Sequence, residues 1–141
     1  MTLVDTNVLL DLVTDDPEWC QWSIEQLEAA ALRGPLFIND IVYAGLSVRY
    51  DRIERLDTFV EEAGLKRVPM PEAALFLTGQ VFAKYRKAGG LRTGVLPDFF
   101  IGAHAAVGGM ELLTRDVARY RTYFPRIALI APDRRERAPR S

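Results

Sequence analysis

Short apolar runs alternate along this chain with longer stretches in which apolar residues recur at helical spacing. Thr2 to Val4 is the first run. Asp5 interrupts it, and Asn7 is a good N-cap for a helix through Val8, Leu9 and Leu10. Asp16 and Pro17 suit the start of a second helix, Glu18 to about Arg33. Its stripe takes in Trp19, Trp22 or Ser23, Leu27 and Ala30 before Gly34-Pro35 stops it. Leu36 to Ile38 predicts a second strand. Asn39 or Asp40 caps a helix from Ile41 to about Tyr50, and another runs from about Ile53 to Ala63, ending at Gly64. Lys66 to Val68 is a brief strand-like run. Pro71 opens a long helix through Lys87, closed by Gly89-Gly90, and Leu91 to Leu96 reads as a loop. Pro97-Asp98 begins a helix to about Val107, terminated by Gly108-Gly109. Met110 to Leu113 predicts a strand, with Asp116 just beyond it. Val117 to Tyr123 is a helical turn, and Ile127 to Ile130 a last apolar strand.

Strands separated by helices imply an α/β fold, a parallel sheet with helices on both faces. A chain of 141 residues is one domain by length and can bury a real core. No internal repeat or linker divides it. A strand that opens the chain and feeds a helix is usually central in such a sheet, and ligands collect at the strand C-termini. Asp5 is therefore expected at the mouth of the sheet.

Composition and charge exclude several classes. No apolar run reaches membrane-spanning length and no basic-then-apolar leader precedes Asp5, so a cytoplasmic protein without a membrane anchor is expected. Cys20 is alone, which rules out an internal disulfide and a cysteine-based zinc site. Beside Trp19 and Trp22 it reads as a small packed residue. The segment 132–141 holds four arginines against Asp133 and Glu136 in a chain of net charge −1, so the tail is basic and the body acidic. The tail is expected to be disordered, and the body lacks the basic footprint usual in nucleic-acid binders.

Three acids occupy equivalent places by independent arguments. Asp5 follows the first strand, Asp116 follows the strand Met110 to Leu113, and Asp98 stands in the first turn of the helix leading into that strand. In a parallel sheet, strand C-termini and helix N-termini share one edge, so the three can face one pocket. Gathered carboxylates repel one another, and a hard divalent cation relieves the repulsion. Magnesium suits such a site, because it takes oxygen ligands and binds through a few carboxylates plus substrate phosphate. Taken singly, each Asp reads better as a cap or solvated end of its own element than as a metal ligand.

Four segments carry a resemblance. They are Val4-Asp5-Thr6-Asn7-Val8-Leu9, residues Ile38 to Ser47, Pro97-Asp98-Phe99-Phe100-Ile101-Gly102-Ala103-His104-Ala105, and Leu113-Thr114-Arg115-Asp116. In order and spacing they resemble the motifs of PIN-domain ribonucleases, specifically the VapC-type toxins of toxin–antitoxin pairs. The resemblance covers nearly the whole chain apart from the tail. It implies a three-layer sandwich with a short central parallel sheet over residues 1–131. It also implies a magnesium- or manganese-dependent endoribonuclease acting on RNA, dimeric, and restrained by a cognate antitoxin. Carried over by position, Asp5, Asp98 and Asp116 match the metal-binding acids. Thr6 and Thr114 match polar residues that support them, and Asn7 one that braces the first loop. One position departs. Where the family carries a glutamate in Tyr-Ala-Glu-Leu-Ser, this chain has Gly45. Asp40 is a poor substitute, since five residues on a helix place it about 140° around the axis. The departure implies an impaired nuclease, or a catalytically inactive module that binds antitoxin or RNA.

Other residues invite a functional reading. His104, six positions after Asp98, lies about 240° around a helix from it, which favours packing or partner contact over shared ligation. Lys84, Arg86, Lys87 and Arg92 precede Asp98 and are candidates for gripping RNA phosphate, as is Arg115; cations at a helix C-terminus are equally at home in solvent. Arg119 and Arg121 also crowd Asp116. Trp19, Trp22, Phe99 and Phe100 read as core or partner surface more than as base-stacking platforms. A haloacid-dehalogenase-type phosphatase needs a second Asp two residues after the first, where Asn7 stands. A receiver domain needs an acidic pair and a later lysine that are not evident.

Overall fold

The computed structural model describes residues 1–133. Most of the arginine-rich tail therefore lies outside the described residues. Five strands, β1 (Thr2–Val4), β2 (Leu36–Ile38), β3 (Leu65–Arg67), β4 (Glu111–Leu113) and β5 (Leu129–Ile130), form one sheet in the order β3-β2-β1-β4-β5. Every pairing is parallel, with Thr2 opposite both Leu36 and Glu111. β1 is central and buried along its whole length, as expected of an apolar opening strand covered on both faces. The chain builds outward from β1 to β3, then returns across β1 to lay down β4 and β5. Strand order thus reverses between β1 and β4. That crevice is where α/β sheets bind ligands.

Among the described residues seven helices cover the two faces, giving three layers: α1 (Thr6–Val13), α2 (Cys20–Arg33), α3 (Asp40–Ser47), α4 (Ile53–Glu62), α5 (Glu72–Lys87), α6 (Leu96–Gly108) and α7 (Ala118–Tyr123). The α1 start differs from the sequence reading. Asp5, not Asn7, is the N-cap, its Oδ1 accepting the Thr6 amide at 2.7 Å. Asn7 lies inside the helix, and its amide is spent on another segment. Asp16 does accept the amides of Glu18 and Trp19, at 2.8 and 2.9 Å, but it closes a turn, and α2 becomes regular only at Cys20. Ser23, Leu27 and Ala30 form its buried stripe. α3 stops at Ser47, short of Tyr50, where the Ser47 hydroxyl donates to the Ala44 carbonyl at 2.6 Å and the chain tightens into turns. Gly109, at φ 63°, takes the left-handed conformation that ends α6 and turns the chain into β4.

α6 is the helix most of the molecule meets, touching α3, α5, α7 and β4. Phe99, fully buried next to Asp98, packs against Phe82, Tyr85, Tyr123 and Phe124. Such ring contacts add to area burial and hold the start of α6 in place. Deeper in α6, His104 is buried with Nδ1 3.1 Å from Asn39 Nδ2, while Asn39 Oδ1 caps α3 by accepting the Val42 amide. Burial holds the His104 imidazole below its ordinary value, so it is the neutral ring that accepts from Asn39. His104 is a packing residue that ties α3 to α6. Among the described residues no helix is long and apolar enough to cross a membrane.

Candidate functional site

Asp5 ends β1 at the reversal point, and its amide donates to the Leu113 carbonyl at 2.9 Å, carrying the ladder past the strand. Its side chain is 3% exposed and fully engaged. Besides the Thr6 amide on Oδ1, Oδ2 accepts the Thr114 hydroxyl at 2.8 Å and the Tyr120 hydroxyl at 2.9 Å. Burial pushes the Asp5 carboxyl up to about 6, the charge of Asp98 adds to the rise, and the three hydrogen bonds oppose it.

Asp98 stands in the first turn of α6, half-buried. Burial raises its carboxyl above the usual range, against the pull of the Arg119 guanidinium. Arg119 Nη1 binds Asp98 Oδ2 directly and lies 3.8 Å from Asp116 Oδ2. Asp116 is more exposed, held through its backbone: its amide donates to Thr114 Oγ1 at 3.0 Å. Thr114 also accepts from Asn7 Nδ2 at 3.3 Å. One buried hydroxyl thus joins Asp5, Asn7 and the segment bearing Asp116.

A cavity of about 540 Å³ opens at this edge, lined by Asp5, Thr6, Asn7, Leu10, Ile41, Ala44, Gly45, Pro97, Asp98 and Ile101. Asp5 and Asp98 therefore share a wall with Gly45, Thr6 and Asn7. Asp116 is not in that lining and reaches the cluster through Arg119 and Thr114. Among the described residues no three His, Cys, Asp or Glu side chains stand close enough to form a ready metal cage. At Gly45 an added Cβ would lie 2.9 Å from Thr6 Cγ2 and 3.1 Å from Thr6 Oγ1, so a side chain there would meet the start of α1 directly beside Asp5. Asp40 instead pairs with Arg67 at 3.0 Å, and Arg67 covers the Tyr43 ring. Lys84, Arg86, Lys87 and Arg92 are exposed and none lines the cavity.

Three participants escaped the sequence reading. Tyr120 carried no signal beyond a core aromatic, yet it is fully buried with its hydroxyl on Asp5. Burial and the charges of Asp5 and Asp98 hold that hydroxyl far above its usual value, so it acts as a permanent donor. Asp11 and Ser23 form the second omission. Asp11 receives the Arg115 guanidinium in two bonds of 2.7 and 2.9 Å and the Ser23 hydroxyl at 2.7 Å. The signal was there: Asn7 and Asp11 are four apart on α1 and face the same way. Asn7 takes the Arg115 amide at 3.2 Å while Asp11 takes its side chain. The segment after β4 is clamped to α1.

The PIN domain family model matches residues 2–125. The chain belongs to the PIN domain family. Solved structures share this fold at low identity. VapBC2 from Rickettsia felis, bound to a DNA fragment from its promoter, gives a TM-score of 0.72 at 18% identity, covering 94% of this chain and 98% of that one. A toxin–antitoxin complex from Klebsiella pneumoniae gives 0.67 at 21%, covering 94% and 98%. DNA-bound VapBC from Salmonella typhimurium gives 0.64 at 22%, covering 92% and 96%. No curated protein sequence matches the chain.

PIN domains are in general nucleases that use divalent metals. The side chains of this PIN domain fit such an ion in kind. The donors are carboxylate oxygens, the type that hard cations take. A cation is already held among them, since the Arg119 guanidinium binds Asp98 and approaches Asp116.

Proposed function

We propose that this PIN domain is a VapC-type toxin, an endoribonuclease dependent on magnesium or manganese and restrained by a small antitoxin. The observation that carries the reading is the meeting of Asp5 and Asp98 in one cavity at the strand-order reversal, with Asp116 bridged to them by Arg119 and Thr114. Asp5, Asp98 and Asp116 would hold the ion, which when bound activates water and stabilises the leaving oxygen of a phosphodiester. Thr114, Tyr120 and the Thr6 amide fix the orientation of the Asp5 carboxylate. Asn7, Asp11 and Arg115 hold the segment that carries Asp116. Arg115 is committed to Asp11, so RNA phosphate falls to Lys84, Arg86, Lys87 and Arg92, which are exposed.

Gly45 leaves this wall of the cavity without the family's glutamate, so cleavage is weak. Homodimerisation, an antitoxin placing a basic group over the acids, and a cytoplasmic site of action belong to the same reading. Gly45 also favours a second one, an inactive module that retains antitoxin or RNA binding. The test is cleavage of a mixed RNA pool by the full chain in magnesium or manganese, in chelator, and with Asp5→Ala. Cleavage that needs both the metal and Asp5 supports the nuclease. Partner binding that is equal in chelator, with no cleavage, favours the module.

A further inference from the structure

Arg119 occupies the position where a cation is wanted. Its side chain is 22% exposed, one guanidinium nitrogen binds Asp98 Oδ2, and the same nitrogen lies 3.8 Å from Asp116 Oδ2. The next residue, Tyr120, donates to Asp5. Adjacent positions of α7 thus supply a fixed positive charge and a neutral donor to acids from the end of β1, the start of α6 and the segment after β4. Arg115 cannot take over this task, because Asp11 holds it in two bonds. A divalent ion shared by Asp98 and Asp116 would take the place between their carboxylates that the Arg119 nitrogen holds.

We propose that Arg119 is the resident counter-ion of the acid pocket: its guanidinium holds Asp98 and Asp116 together in the absence of metal and leaves Asp98 when a divalent cation binds, so that it sets the pocket's metal affinity. The inference rests on the metal-dependent reading above. Mutual exclusion follows from charge and from position, since two cations cannot share the space between the two carboxylates. An opposite charge at contact distance stabilises an ionised carboxylate, and that stabilisation is lost to any ion that displaces it. Arginine suits a partly buried pair of this kind, being permanently charged and weakly hydrated.

The experiment is Mn2+ titration of the full chain by calorimetry and by electron paramagnetic resonance of the free ion, comparing wild type, Arg119→Gln, Arg119→Lys and Asp98→Asn. Arg119→Gln is expected to bind Mn2+ about fivefold more tightly, as befits loss of a pair worth near the upper limit for exposed ones. Arg119→Lys, which keeps the charge without the planar fork, is expected to fall between, and it carries the comparison if the glutamine variant does not fold. A second readout needs no variant affinity. The Nε–H resonance of Arg119, assigned by its loss in Arg119→Gln, should move toward that of a free guanidinium on addition of Mg2+, while the Arg115 resonance stays. Folded Arg119 variants with equal or weaker Mn2+ affinity, or an unmoved Arg119 resonance at saturating Mg2+, overturn the proposal and leave the metal site standing. Absence of Mn2+ binding in wild type and variants alike overturns the metal-dependent reading itself, and the inference with it.

Discussion

The Thr114 hydroxyl donates to Asp5 Oδ2 at 2.8 Å across the crevice between β1 and β4, joining residues 109 positions apart. The same oxygen accepts the Asp116 amide and Asn7 Nδ2. Thr114→Val keeps the shape and removes all of these partners. Leaving buried groups unpaired costs about 1–3 kcal/mol, so urea unfolding should show a loss of that size with an unchanged m-value. RNA cleavage should fall as well, since Asp116 loses its mooring. A variant as stable as wild type would show that Asn7, Asp116 and Asp5 find other partners.

Asp5 makes stability fall as pH rises. Its folded carboxyl sits at about 6 against an ordinary 3.8, so the folded state holds the proton more tightly than the unfolded one. The corresponding contribution is fully present below about pH 3.8 and is lost as pH rises through about 6. The gap corresponds to an upper figure of about 3 kcal/mol. Asp5→Asn should therefore be more stable than wild type at pH 7 and nearly equal to it at pH 4. Parallel melting curves in which the difference between the two proteins does not change with pH would contradict this.

Gly45→Glu tests whether the missing acid limits the site. Restoring one well-placed group commonly returns about 10²–10³ in rate, and magnesium-dependent cleavage should rise at least about tenfold. The new Cβ meets Thr6 Cγ2 at 2.9 Å, so Thr6 must turn away for it to fit. Thr6→Ala should therefore relieve Gly45→Glu, and the double variant should melt higher than Gly45→Glu alone. Against that contact, replacing glycine in a helix gains about 1 kcal/mol of propensity, which limits the net loss. Equal, chelator-sensitive cleavage by wild type and Gly45→Glu would mean that the site works without this acid.

Asp11 touches no wall of the acid cavity, yet its loss should reach the site. Asp11→Ala strands the Arg115 guanidinium and the Ser23 hydroxyl. Breaking such a buried pair costs about 3 kcal/mol, the low end because Arg115 keeps some access to water. Cleavage should drop more than the loss of folded protein explains, because the Asp116 segment is released from α1. Arg115→Met leaves the buried Asp11 carboxylate with only the Ser23 hydroxyl and should cost at least as much stability.

The order of elements was legible because each carries its own local signal. Apolar runs broken by Asp, Asn, Gly and Pro place five strands and seven helices nearly where they stand, since capping and breaking act within a few residues. The errors fell at ends, where two local solutions compete. Asp5 and Asn7 can each cap α1, and the choice went to Asp5 because Asn7 is needed by Thr114 and Arg115, far away in sequence. The run Ile127 to Ile130 shrinks to the 2 residues that find a β4 partner, for a strand exists only where a neighbour supplies its hydrogen bonds.

Local pattern also determined the chemical candidates: an Asp after the first strand, one in the first turn of α6, one after β4, and a glycine where a related motif has an acid. It could not say which cations these acids meet. Arg115 and Arg119 are alike in sequence, each within a few residues of Asp116, yet one is bound to Asp11 on α1 and the other to Asp98 on α6. Tyr120, one of two tyrosines in α7, turns out to hold its hydroxyl on Asp5. Those pairings depend on the strand-order reversal between β1 and β4, which brings residues a hundred positions apart within hydrogen-bond reach. Periodicity in a sequence reports the face on which a side chain lies; only the packed sheet decides what stands opposite it.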